Sequence, residues 1–174
     1  MAMRSTKNPP GAQLPPRVKE VARTAILKSL ALVRSECQVT DHKPGDIIEN
    51  VNLTLQGGGQ SEPETHSIAC SFGLTVLALA KEPAGKEIAR FKCDYLVHYE
   101  IRDAAIFDSL TQKDIELFAA FNATLNAWPY ARELVQSLSA RMMLPPLVLP
   151  LFRPNEMIPP QSRWTKAERP AAPT

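Results

Sequence analysis

Histidine, cysteine, serine and carboxylate side chains are where this chain would do chemistry, and its sequence scatters them. His42, His66 and His98 fall in a loop, at a strand start and inside a strand, with no acidic or cysteine partner at ligand spacing. Cys37, Cys70 and Cys93 are odd in number and far apart, without a C-x-x-C pair to open a zinc site, and are expected as small buried hydrophobes in a reducing compartment. Gly57-Gly58-Gly59 lacks the following Lys and Ser or Thr of a phosphate-binding loop, and it stands where a turn between two strands is expected, whereas a nucleotide site needs a helix N-terminus. No serine or cysteine lies in a nucleophile-elbow pattern, and no carboxylate pair stands out. Arg132 and Glu133 are polar enough for catalysis, yet on a helix such residues serve local ion pairs or caps. The expectation is therefore a protein that is not an enzyme, with no catalytic residue, no metal and no cofactor.

Composition narrows the class of partner. Twenty Lys and Arg against eighteen Asp and Glu leave a net charge of +2, spread without a block that could track a phosphate backbone, so nucleic acid is not an expected partner. A hydrophobic content of 44% with 22% charged residues is that of a soluble globular protein, and no apolar run approaches the length that crosses a bilayer. Met1 to Pro16 has basic residues but no apolar stretch, unlike a secretory signal, so no membrane partner and a cytoplasmic location are expected.

The elements follow from hydrophobic period and punctuation. With 174 residues, one domain over 17–152 is expected between two flexible proline-rich tails, 1–16 and 153–174. Arg17 to Ala25 suits a short helix started by Pro16, with Val18, Val21, Ala22 and Ala25 at helical spacing. A first strand is expected from Ile26 to about Val39, and a second where Ile47, Glu49, Val51, Leu53 and Leu55 alternate with polar neighbours. A third, His66 to Ala80, is apolar on both faces and is expected to be covered on both sides. In the fourth, Lys86 to Arg102, the odd positions from Ala89 to Ile101 should face the core. Loops of hairpin length with no helix between strands imply an antiparallel sheet.

Helices come after the sheet, which makes the class α+β. Thr111 with Asp114 forms an acidic variant of the capping box, and Ile115, Phe118 and Leu125 supply an apolar stripe. Pro129 is expected to end or kink this helix near Trp128 and to open a second one, on which Ala131, Val135, Leu138 and Met142 share a face until Pro145-Pro146.

Phe118 to Leu151 reads FAAFNATLNAWPYARELVQSLSARMMLPPLVLPL. A P-Y-x-R-E helix start, here Pro129, Tyr130, Arg132 and Glu133, followed by a proline-containing return through Pro145 and Pro146, resembles the SecB chaperone family. The resemblance spans roughly Ile26 to Leu151. It implies a four-stranded antiparallel sheet with helices on one side, a dimer-of-dimers homotetramer, and ATP-independent holding of non-native polypeptide in apolar grooves. It carries Val51, Leu53 and Leu55 over as client contacts, with Leu125 and Trp128 near the same groove and Met142 as an adaptable addition. Each has a plainer use: core packing for the strand residues and Met142, and plugging of the helix joint for Trp128. The proline-rich, slightly basic end from Arg153 departs from the acidic tail that export members use with the translocase motor SecA, so delivery of preproteins to SecA is the second reading and a non-chaperone scaffold subunit of the same fold the third. The short N-terminal helix, WPYARE and LPPLVLP are instead similar to the SecB-like chaperones of toxin-antitoxin-chaperone modules, which implies an antitoxin segment as the client.

Overall fold

Pro15 and Pro16 hold the backbone angle that a first helical turn needs, and helix α1 runs from Pro16–Thr24, burying Val18 and Val21. The computed structural model describes residues 14–152 apart from 41, 44, 45, 82, 84 and 146; most of both expected tails, 1–13 and 153–174, lies outside the described residues. Four strands follow: β1 (Ala25–Val39), β2 (Ile48–Glu62), β3 (Ser67–Ala80) and β4 (Glu87–Ile101). All neighbours are antiparallel and the order is β1-β4-β3-β2. The two edges are thus β1 and β2, although these strands are consecutive in sequence. This is the expected α+β arrangement, a four-stranded antiparallel sheet followed by helices.

The period-two expectation for β4 holds: Ala89, Phe91, Cys93, Tyr95, Val97, Tyr99 and Ile101 are all buried on the face that the helices cover. On β3 the even positions from Ile68 to Ala80 are buried with them, paired as Phe72 with Tyr95 and Cys70 with Val97. Full burial of each Phe, Leu, Ile or Val contributes about 1.5–3 kcal/mol. The other face of β3 differs from the expectation of cover on both sides. Ala69, Ser71, Gly73, Thr75, Leu77 and Leu79 are half-buried, screened by their neighbours across the strands.

Two further expectations are corrected. Gly57-Gly58-Gly59 is not a turn: β2 continues through it to Glu62, and the chain reverses at Pro63–Thr65 with His66 left-handed at φ 46°. A helix needs that glycine run, because a Cβ on Gly59 would stand 2.9 Å from Ala119 Cβ and 3.0 Å from Ile115 Cγ2. Nor does Pro129 end a helix. After α2 (Ala104–Asp108), helix α3 (Gln112–Phe118) passes through a π-helical turn, Ala119–Ala123, straight into α4 (Thr124–Arg141), with Pro129 inside α4. Pro129 is exposed, so the carbonyl of Leu125, which loses its helical donor, is on the solvent side. The helix stops before the prolines: Met143 turns left-handed at φ 58°, and Leu144 N–H closes the end on the Ser139 carbonyl at 3.0 Å.

Candidate functional site

Helix α4 lies across the sheet with two unlike flanks. Asn126 donates to the Tyr99 hydroxyl at 2.7 Å, and Met142 Sδ meets Cys37 Sγ at 2.8 Å, so α4 runs along β4 and ends beside β1. On this flank Tyr130, Leu134 and Leu138 recur every four residues, exposed or half-buried. They face the β1 row of Leu27, Leu30 and Leu32, which shares the helix-covered face with Tyr99, Val97 and Tyr95. Leu27 and Leu32 remain 43% and 45% exposed.

The opposite flank holds the return segment. Trp128 is 2% exposed, its indole N–H donates to the Pro150 carbonyl at 2.9 Å, and its ring lies 5.9 Å from that of Phe152. Eleven residues along α4, Ser139 Oγ accepts from Leu147 N–H at 3.1 Å. These two bonds lash residues 147–152 against the helix as an extended strap running back along it. Alternation does the rest: Leu147 and Leu149 are buried, while Val148 and Leu151 stand 58% and 67% exposed. Three prolines in 145–150 remove backbone donors from a segment that has no strand partner among the described residues.

Edge β2 lies at the opposite side of the sheet from β1. Val51, Leu53 and Leu55 share the helix-covered face with Ala78, Val76 and Leu74. Val51 is exposed, whereas Leu53 and Leu55 are half-buried against the core. From Asn50 to Ser61 the strand carries no charge and no proline, and its only register shift lies at its start, between Ile48 and Asn50. At Gly59 the carbonyl is taken by the Gln112 amide at 3.1 Å, so helix α3 closes the far end.

Of the residues singled out in the sequence, then, Val51, Leu53 and Leu55 line one edge, and Leu125 is exposed on the strap flank of α4. Trp128 stands behind the strap and Met142 against β1. Tyr130, Glu133 and Pro145 are exposed, Arg132 is half-buried, and Pro146 lies outside the described residues. Sequence reasoning did not single out Val148 and Leu151, although the apolar alternation of LVLPL was a usable signal. Nor did it single out the β1 row.

Ionisable groups inside the fold are held uncharged. Burial pushes the Cys70 and Cys93 thiols up to about 12, with Asp94 adding to the effect at Cys93, and Cys37 also moves up through burial. Such thiols are poor nucleophiles. Burial likewise raises the Tyr95 phenol to about 12, with Cys93 and Glu133 contributing. Among the described residues no cluster of three His, Cys, Asp or Glu side chains could hold a metal, and no helix is long and apolar enough to cross a membrane.

No protein-family model matches the sequence, and no curated protein matches it. The fold is similar to that of a SecB-like chaperone from Mycobacterium tuberculosis, solved in complex with a ChAD peptide from the HigA1 antitoxin. The identity is 21% and the TM-score 0.66, with 79% of this chain and 97% of that chain covered. A protein of unknown function from Streptococcus agalactiae, 10% identical, aligns over 73% of this chain and 97% of its own with a TM-score of 0.38, too low to carry an argument. The chain has the SecB-like fold.

Proposed function

We propose that this chain is a holdase of the SecB-like kind, which keeps non-native polypeptide from aggregating without ATP, and that its dedicated client is an antitoxin segment. The observation that carries the reading is the open β2 edge, together with apolar side chains exposed on it, on α4 and on the strap. That edge offers backbone groups along a stretch without charge, Asn50 to Ser61, and Val51 on it, with Leu125 on α4 and Val148 and Leu151 on the strap, exposes an apolar side chain. An extended segment can add to such an edge by backbone pairing, while alternate side chains meet apolar positions. Selectivity by sequence would be low, because backbone bonds and small apolar contacts do not distinguish one apolar side chain sharply from another. The SecB-like neighbour solved with an antitoxin peptide supports the choice of client.

In this reading Trp128 acts from behind, by fixing the strap, and Met142 packs the β1 side. The β1 row and the Tyr130–Leu134–Leu138 flank are the surface offered to a second copy, in a homotetramer whose several grooves hold one client by avidity. The protein works in the cytoplasm.

Aggregation of a refolding client measures the activity. Purified protein in stoichiometric excess should suppress light scattering and retain the antitoxin's C-terminal segment without nucleotide. Scattering at the unassisted rate would remove the proposal.

A further inference from the structure

Arg132 is the anomaly of helix α4. Its Nε is shielded from solvent and has no hydrogen-bond partner. No ion pair engages it among the described residues. Its own helix cannot supply one: the positions three and four residues away are Pro129, Trp128, Val135 and Gln136, none of them a carboxylate. Adjacent Glu133 is exposed and makes no ion pair with it among the described residues. A shielded guanidinium N–H without an acceptor is unfavourable, and native structures rarely leave one unless something outside the chain completes it.

The position says what that something is. Leu125, Arg132 and Ser139 recur every seven residues, and Trp128 lies one turn before Arg132, so all four share the strap flank. Ser139 and Trp128 are the two residues that hold the strap. Arg132 therefore stands between them, at the margin of the apolar surface formed by Leu125 and the outward strap residues. A planar guanidinium there, with no internal counter-charge, fits a carboxylate.

We infer that Arg132 is a specificity-determining anchor: it binds an Asp or Glu side chain of the client, so this chaperone selects apolar extended segments that carry an acidic residue. The inference rests on the proposed client surface and assigns that surface its one charged contact.

The test uses the full chain and a series of labelled peptides of one uncharged, alternating apolar sequence, in which successive positions are changed from Gln to Glu. Wild-type protein should bind one peptide of the series on the order of tenfold more tightly than its uncharged parent. Added salt should weaken that preference. Arg132→Gln should bind the two equally. Arg132→Lys, which keeps the charge but not the planar fork, should retain part of the preference and carries the test if the Gln variant does not fold by circular dichroism. Equal binding of every peptide by wild type, or a preference that persists in Arg132→Gln, overturns the inference. So does a loss of oligomer mass in Arg132→Gln with the preference intact, which would assign the carboxylate to a second copy. Failure of wild type to bind even the uncharged parent would remove the client surface itself, a result distinct from equal binding.

Discussion

Strand β1 carries Lys28, Arg34 and Glu36 and breaks register twice, between Leu27 and Ser29 and between Leu32 and Arg34. Strand β2, at the opposite edge, carries no charge from Asn50 to Ser61 and breaks register once, at its start. Charges and bulges limit which strand can pair with an edge. An edge shaped by them suits one defined partner, whereas a flat uncharged edge accepts many. The apolar rows differ too: Leu27 and Leu32 of the β1 row are exposed, whereas on β2 Leu53 and Leu55 are half-buried and only Val51 is exposed. Under the proposed function, one sheet would offer a selective face to a second copy and a permissive face to a client.

The comparison breaks most completely at the strap. Trp128→Ala removes a buried ring and the bond to Pro150, and should lower stability by about 3–5 kcal/mol in chemical denaturation. Trp128→Phe keeps most of the ring and should lose only about 1 kcal/mol, the hydrogen bond alone. No loss in Trp128→Phe would mean that the bond does not hold the strap.

Glycine separates the two faces of β2 itself. Gly59→Ala should lower stability by about 1–3 kcal/mol, because its Cβ meets Ala119 and the Ile115 backbone. Gly58→Ala, whose Cβ meets nothing within 4 Å, should be neutral or slightly stabilising. Equal effects in thermal melts would show that α3 does not rest on Gly59.

Single charges test each edge in turn. Val51→Asp and Leu32→Asp alter exposed side chains, and each should change stability by less than about 1 kcal/mol. Val51→Asp should weaken client binding about tenfold at unchanged mass. Leu32→Asp should reduce the mass seen by light scattering and leave the intrinsic affinity of each groove alone. The reverse pattern would exchange the roles of the edges.

The smallest effect concerns the helix start that brings Gln112 to Gly59. The Thr111 hydroxyl holds the Asp114 carboxyl below its ordinary range; burial works against this, and the Thr111 N–H, Arg17 and Lys113 add to it. The folded value lies below the unfolded one, so the stabilisation is complete above the ordinary carboxylate range, near pH 4, and is lost as pH falls through the lowered value. Thr111→Ala should cost about 1 kcal/mol at neutral pH and should flatten that acid-side loss in stability-against-pH curves.

What the sequence carried is explained by the range of the forces involved. The β4 alternation and the Thr111–Asp114 cap are local, and both appear in the structure as expected: the odd positions are buried, and the capping box is formed. The contacts that overturned expectations are long-range. A glycine run looks like a turn until a helix that follows some fifty residues later needs the space above Gly59. Pro129 looks like a break until its ring is found on the solvent side of a helix held down by packing. Trp128 looked available because its partner, a backbone carbonyl, leaves no mark in sequence. Composition does mark the contrast between the edges, since the charges of β1 and their absence between Asn50 and Ser61 of β2 are legible, but only the strand order reveals that these strands are the two edges.

Hydrogen exchange read by mass spectrometry, on the full chain with and without a saturating unfolded client, tests the central claim most directly. Client should slow exchange of the outward amides between Asn50 and Gly58 and in the 147–152 strap, while β1 exchanges as before. Protection confined to β1, or no protection at either edge, would contradict the assignment of the β2 side to the client.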